Sequence, residues 1–445
     1  MMRIFLVGTF FFLAATAKGN DWPQWQGPKR DGIWRESGIL EKFPKGGPKV
    51  VWRQKLGGGF TGPAVAHGRV YVMDRQGEML PKGKEVPGKA GLPGKERILC
   101  FNAADGELLW KQEYDCRYQR IYYTSGPRAT PVVHGGKVYT LGAMGDLVCL
   151  DAVKGTIHWK KNLPEEYKTK PPLWGYAGHP LIEGDCVISL AGGKGSAVVA
   201  LDKDTGQERW KALTVQEVGY APPMVFEAGG LRQLIIWHTE ALVSLAPKTG
   251  KTYWSIKFPE VEPERPGITV ATPRLAGDLL FVSSPHHGSL MVKLSKDKPA
   301  AQVLWKGKSN DLTQPDGLHN LMGSPVIADN HVYGVCNFGE LRCLDAVTGK
   351  RIWEKKTTPR KALGATTFIV PHKKRFFLYN DQGDLIIARL TPKGYEEIDR
   401  AKVIEPTLFS RGRDVVWSHP AFANRCMFGR NDKEIVCLSL KDSQN

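Results

Sequence analysis

Arginine, histidine, tryptophan and amide side chains recur in the segments just ahead of short apolar runs, and such a set suits the binding of a flat anionic molecule or a sugar. The first group comprises Arg128 in GPRATP, Trp174, Tyr176 and His179 in LWGYAGHP, Tyr220 in GYAPP, Asp316, His319 and Asn320 in PDGLHN, and Arg411, Trp417 and His419 in SRGRDVVWSHP. A second group follows apolar runs: Asp74 with Arg75, then Trp237, His238 and Glu240 in WHTEA, and His286 with His287 in SPHHGS. Arg128 and Arg411 can offset anionic charge or pair with Asp316 and Glu240. His179 and His419 precede proline, where a histidine can equally cap the start of a strand. Neighbours on a strand point to opposite faces, so His286 and His287 are not expected to share a metal. No G-x-S-x-G, H-E-x-x-H, Walker or dinucleotide loop occurs in a suitable context.

The elements that must position these groups are repeats. The unit reads P-x-V, a turn, V-Y, a short loop, then G-x-L-x-C-L-D-A-x-T-G-x-x-x-W. Copies close at Trp110, Trp159, Trp210, Trp254 and Trp353, a degraded copy closes at Trp305, and Ile398 takes the tryptophan place in ARLTPKGYEEI. The interval of 44 to 51 residues is that of propeller blades. Within a copy, alternating apolar residues broken by Gly, Asp and Asn predict four short antiparallel strands, a to d. D-x-x-T-G is then the c-to-d turn, with glycine at a positive φ, and the tryptophan buries its ring against the next blade. The last copy (SHPAFAN, RCMFGR, IVCLSL) lacks a d strand, while VVWRQKL, with Trp52, is a d strand without a to c. Pairing them closes a ring of eight blades and leaves no open edge. The d-to-a and b-to-c connections emerge on one face, and function is expected there, because the a-to-b links are minimal.

Forty-nine glycines and 30 prolines, with 42% hydrophobic residues, fit a turn-rich all-β chain with an ample core. Residues 1–17, with Arg3 ahead of an apolar run ending Ala15-Thr16-Ala17, have the form of a cleavable secretory signal. Residues 18–49 form an extension expected to pack on the ring of residues 50–440. A periplasmic or secreted monomer without a transmembrane segment follows, and nucleic acid is not an expected partner. The net charge of +17 favours acidic surfaces, but its lysines are spread without a dense run. Cys100, Cys149, Cys343 and Cys437 share one repeat slot, where a small core-facing residue suffices; Cys336 and Cys426 fall in the neighbouring strands, leaving cross-strand disulfides open. The insertion at residues 76–97 reads as a basic flap in the b-to-c connection of blade one.

The motif A-x-D-x-x-T-G-x-x-x-W, in seven copies over residues 50–440, resembles the signature repeat of the pyrroloquinoline-quinone (PQQ) propeller family, and the opening DWPQWQGPKRDG resembles the start of secreted PQQ-like repeat proteins. The resemblance implies one of two functions. The first is that of non-enzymatic members similar to the propeller of the outer-membrane protein assembly machinery, here binding a protein or carbohydrate partner. The second is a dehydrogenase of alcohols or sugars holding PQQ and Ca2+ on the ring axis, with Asp316 or Glu240 as base. The chain has no adjacent cysteine pair and no C-x-x-C-H, and its start lacks a lipidated cysteine. The binding reading leads, with Arg75, Arg128, Trp174, His179, Tyr220, Trp237, His238, His319, Asn320, Arg411, Trp417 and His419 as its ligand-binding candidates.

Overall fold

Each repeat folds into one four-stranded antiparallel sheet, and eight such sheets make the ring. The computed structural model describes residues 21–78, 91–260, 267–356 and 361–442. Residues 1–17, expected to be a secretory signal, and the centre of the 76–97 insertion lie outside the described residues. Blade two is representative: strands a Val132–His134, b Lys137–Leu141, c Asp146–Asp151 and d Ile157–Asn162 pair in that order. Strands b and c carry the core, whereas d is an outer edge with a largely exposed pattern. In blade eight, strand d is Val50–Lys55, paired with Glu434–Ser439. Trp52 stands opposite Cys437, so the two ends of the chain share one sheet as the repeat pattern requires.

The W-motif is an interlock between blades. Trp52, Trp110, Trp159, Trp210 and Trp305 each donate their indole N–H to a c-to-d turn carbonyl of the following blade, those of Ala103, Ala152, Lys203, Pro247 and Ala346, at 2.8–3.1 Å. The rings lie over Gly106, Gly155, Gly206, Gly250 and Gly349, where an added Cβ would come within 2.6–2.8 Å of the indole. Those glycines also have φ between 70° and 79°. The glycine is therefore required twice, for the turn and for the ring that lies on it.

Three junctions depart from this pattern. Trp353 donates to the Thr391 carbonyl of blade seven at 2.8 Å, but among the described residues no glycine lies under its ring, since a Cβ built on Gly394 meets nothing within 4 Å. The turn after Trp254 has lost its glycine, and the indole donates to Gln233 Oε1 of its own blade at 2.8 Å. In blade seven the register sets Asp399, not Ile398, in the tryptophan place: Asp399 faces Ile387 ahead of the bulge. Blade eight has no c-to-d turn to receive a tryptophan. Asp399 instead accepts the Phe43 N–H at 2.7 Å, and Trp34 packs between Phe377 and Phe422 of the two blades. All eight cysteines are free thiols; Cys343 faces Tyr333 and Cys437 faces Phe428, so neither cross-strand disulfide is present.

Residues 21–40 run along the inner strands. Trp22 bridges Val65 of blade one, Pro23 accepts from Val133 of blade two, Arg30 donates to Pro180 and Pro223 ahead of strands a of blades three and four, and Trp34 donates to Pro371 of blade seven. Arg30 is fully buried, and desolvation lowers its pKa to about 9; carbonyl oxygens, not carboxylates, hold its guanidinium. No helix among the described residues is long and apolar enough to cross a membrane.

Candidate functional site

All eight d-to-a connections reach a cavity of about 360 Å³ at the mouth of the central channel. An aromatic and basic half is built by Phe60 ahead of blade one, Tyr123 and Arg128 ahead of blade two, Trp174 and His179 ahead of blade three, Tyr220 ahead of blade four, and Arg411, Trp417 and His419 ahead of blade eight. The remaining wall is apolar: Ile268 and Val270 ahead of blade five, Leu312, Leu321 and Met322 ahead of blade six, and Leu363 and Phe368 at blade seven. Trp25 of the N-terminal segment also lines the cavity. Its ring stacks on His179 (centroids 3.8 Å, 12° between planes) and lies 4.4 Å from His419, while its indole donates to Thr272 Oγ1 at 2.9 Å.

Burial decides the electrostatics. Desolvation holds the His179 imidazole well below its usual pKa, and it lowers that of His419 to about 3, so both are neutral at pH 7. His179 Nδ1 accepts the Thr130 N–H at 2.8 Å, which leaves the proton on Nε2. Arg128 is pinned by the carbonyls of Trp174, Tyr122, Tyr123 and Gly126 and sits 5.2 Å from the Phe60 ring centre. It therefore fixes two neighbouring loops to each other. Arg411, at the turn of the hairpin Leu408–Ser410 and Arg413–Val415, is exposed. Among the described residues no Asp, Glu or Lys lines the cavity.

Ten of the sequence candidates are elsewhere, among them Tyr176, which donates to the Ala191 carbonyl, and Asp74, which accepts from Arg97. Strand b of blade one extends to Gly77, so Arg75 lies within the sheet, donates to the carbonyls of Glu78, Leu92 and Pro93, and covers Tyr118 at 4.5 Å. Trp237 ends strand b of blade four, buried against Phe258 with its N–H on the Phe258 carbonyl. His238 and Glu240 belong to the turn that follows: His238 Nδ1 accepts from the Glu240 N–H, and Glu240 accepts from the Gln216 N–H. Burial pushes the Asp316 carboxyl up, but the N–H groups of Lys308, Gly317 and Ser309 outweigh it, and the group ends below the usual carboxylate range. His319 is buried with Nδ1 3.0 Å from the Pro285 carbonyl, and Asn320 donates to the Val335 carbonyl. His286 and His287 sit in a tight b-to-c turn rather than on a strand, and only His286 reaches the cavity.

Sequence reasoning missed Trp25, Phe60, Tyr123, Asn337 and the apolar wall. Trp25 stands in the quoted DWPQWQ segment, which was the one available signal; the aliphatic residues fall in loops without periodicity. Calcium takes six to eight oxygen ligands, carboxylates foremost. A wall without carboxylates does not fit it, and no group of three potential metal ligands occurs among the described residues.

The chain is similar to the outer membrane protein assembly factor BamB of Burkholderia pseudomallei, with 25% identity over 54% of this chain; the match spans 58% of that relative's length. It is also similar to the quinohemoprotein alcohol dehydrogenase ADH-IIG of Pseudomonas putida, with 24% identity over 80% of this chain and 50% of that one. The solved structure of BamB from Moraxella catarrhalis superposes with a TM-score of 0.57 at 15% identity, covering 88% of this chain and 99% of that one, and shows the shared fold. The family model described as outer membrane protein assembly factor BamB matches residues 94–355, and with more than half of its length so matched the chain belongs to that family.

Proposed function

We propose that this chain is a periplasmic propeller scaffold for outer-membrane protein assembly that docks a protein partner on its d-to-a face. The observation that carries the reading is a rim of Tyr123, Trp174, Tyr220, Arg411 and Trp417, residue types that dominate binding energy at protein interfaces, set on a rigid ring. A carbohydrate partner has less support, because the described residues of the cavity offer no carboxylate to accept from sugar hydroxyls. The dehydrogenase reading draws on the likeness to ADH-IIG. The cavity chemistry opposes it, since both candidate bases lie outside the lining and calcium has no ligand set there.

The test is a paired experiment. A deletion strain should show depleted outer-membrane proteins, restored by the parent gene and not by an Arg411→Ala, Trp417→Ala double variant. The purified double variant should also lose an assembly partner that the parent captures from envelope extract, identified by mass spectrometry. Unaltered capture removes this face from consideration. Titration with PQQ and Ca2+ should leave the melting temperature unchanged, because tight binding to the folded state would raise it.

A further inference from the structure

The cavity is too small for a folded partner, and its volume of about 360 Å³ falls at the low end of the roughly 300–1,000 Å³ that holds small molecules. Among the described residues its charged lining side chains are two arginines. Arg128 is committed to backbone carbonyls, whereas Arg411 makes no hydrogen bond or ion pair among the described residues. Beside it, the Trp417 indole N–H is buried without an acceptor among the described residues. Both side chains flank Gly364, where a Cβ would stand 3.5 Å from Trp417 Cζ2 and 3.9 Å from Arg411 Cδ. An indole N–H and a guanidinium can only donate, so this pair calls for an acceptor brought from outside.

The adjoining wall, from Leu363 next to Gly364 back to Leu312, sets the rest of the ligand. Leu312, Leu321, Met322 and Leu363 form an aliphatic surface, while Trp174 stacks on Tyr220 at 5.1 Å and Trp25 on His179 at 3.8 Å. With those ring faces turned to one another, the open surface suits a hydrocarbon chain better than a plane. We propose that the cavity binds a small anionic amphiphile, a medium-length alkyl chain ending in one carboxylate or phosphate, with its head group at Arg411 and Trp417 and its chain along the aliphatic wall. This goes beyond protein docking on the rim and stands independently of it.

Dodecanoate, dodecyl phosphate and dodecan-1-ol separate head-group from chain recognition when titrated by tryptophan fluorescence and thermal shift. At least one anion should bind about tenfold more tightly than the alcohol, the effect of one charge-assisted hydrogen bond. Arg411→Gln, at an exposed position that leaves folding intact, should erase that preference, and Met322→Trp should block binding of all three. Equal binding of alcohol and anions to the parent, retention of the preference in Arg411→Gln, or no binding overturns the proposal. A chain that binds no dodecyl compound yet still captures its assembly partner would overturn this inference alone.

Discussion

Gly155 shows how much a single residue carries. Its φ of 73° and the Trp110 ring 2.6 Å from a built Cβ make alanine doubly unsuitable. Gly155→Ala should lower stability by about 1–3 kcal/mol, read as a shift of the urea midpoint. Gly136, with a nearly equal φ of 76°, has nothing within 4 Å of its built Cβ. Gly136→Ala should thus cost less than Gly155→Ala, and the difference measures the interlock. His419 makes a second prediction at this scale. Its folded pKa of about 3 lies below the roughly 6.5 of an unfolded histidine. Between those values the unfolded chain binds a proton that the folded chain refuses. Stability is therefore full above about pH 6.5 and falls as pH drops toward 3, by up to about 1.4 kcal/mol per pH unit for one such group. His179 acts in the same direction. Urea midpoints from pH 7 to 5 should decline, and His419→Phe should flatten the slope.

At the scale of elements, two segments outside the repeat pattern carry disproportionate weight. Trp25 joins His179, His419 and Thr272 beneath the cavity, and Trp25→Ala should cost about 3–5 kcal/mol, measured by denaturant unfolding. Removal of Val50–Lys55 leaves Glu434–Ser439 as an unpaired edge. Such a truncation should aggregate, seen as light scattering at concentrations where the parent stays clear. The strand count and the closure were legible because alternation and the W-motif repeat locally. The placement of Asp399 was not: the bulge recurs in other blades, but in blade seven the c-to-d hairpin extends to Thr391 facing Gly394, which sets Asp399 rather than Ile398 opposite Ile387, and only pairing reveals it. Arg75 was misplaced for a related reason: strand b of blade one runs longer than the repeat predicts.

For the whole molecule, the ring geometry converts eight unrelated loops into one wall. The aromatic and basic half of the cavity could be read from the sequence because Trp174, Trp417, Arg128 and Arg411 stand outside the repeat slots. Its apolar half could not, because leucines in aperiodic loops look the same whether they face a cavity or a neighbour. Trp25 was equally hidden, its hydrogen-bond partner Thr272 lying 247 residues along the chain. Of the b-to-c candidates only His286 lines the cavity, since the turn after strand b of blade four ties His238 and Glu240 to backbone N–H groups.

Each interlocking indole points forward, to a turn that lies later in the chain than itself. During synthesis from the amino terminus, every nascent blade thus holds out a tryptophan whose seat has yet to be made, and the seat arrives about one blade later. Growth is directional, like a zip with its slider moving one way. Trp52 finds its turn early, but its strand waits for Glu434–Ser439 before it has a neighbour to pair with. Chains halted partway would carry that solitary strand, so truncation products should be cleared by proteases long before a full-length ring is touched.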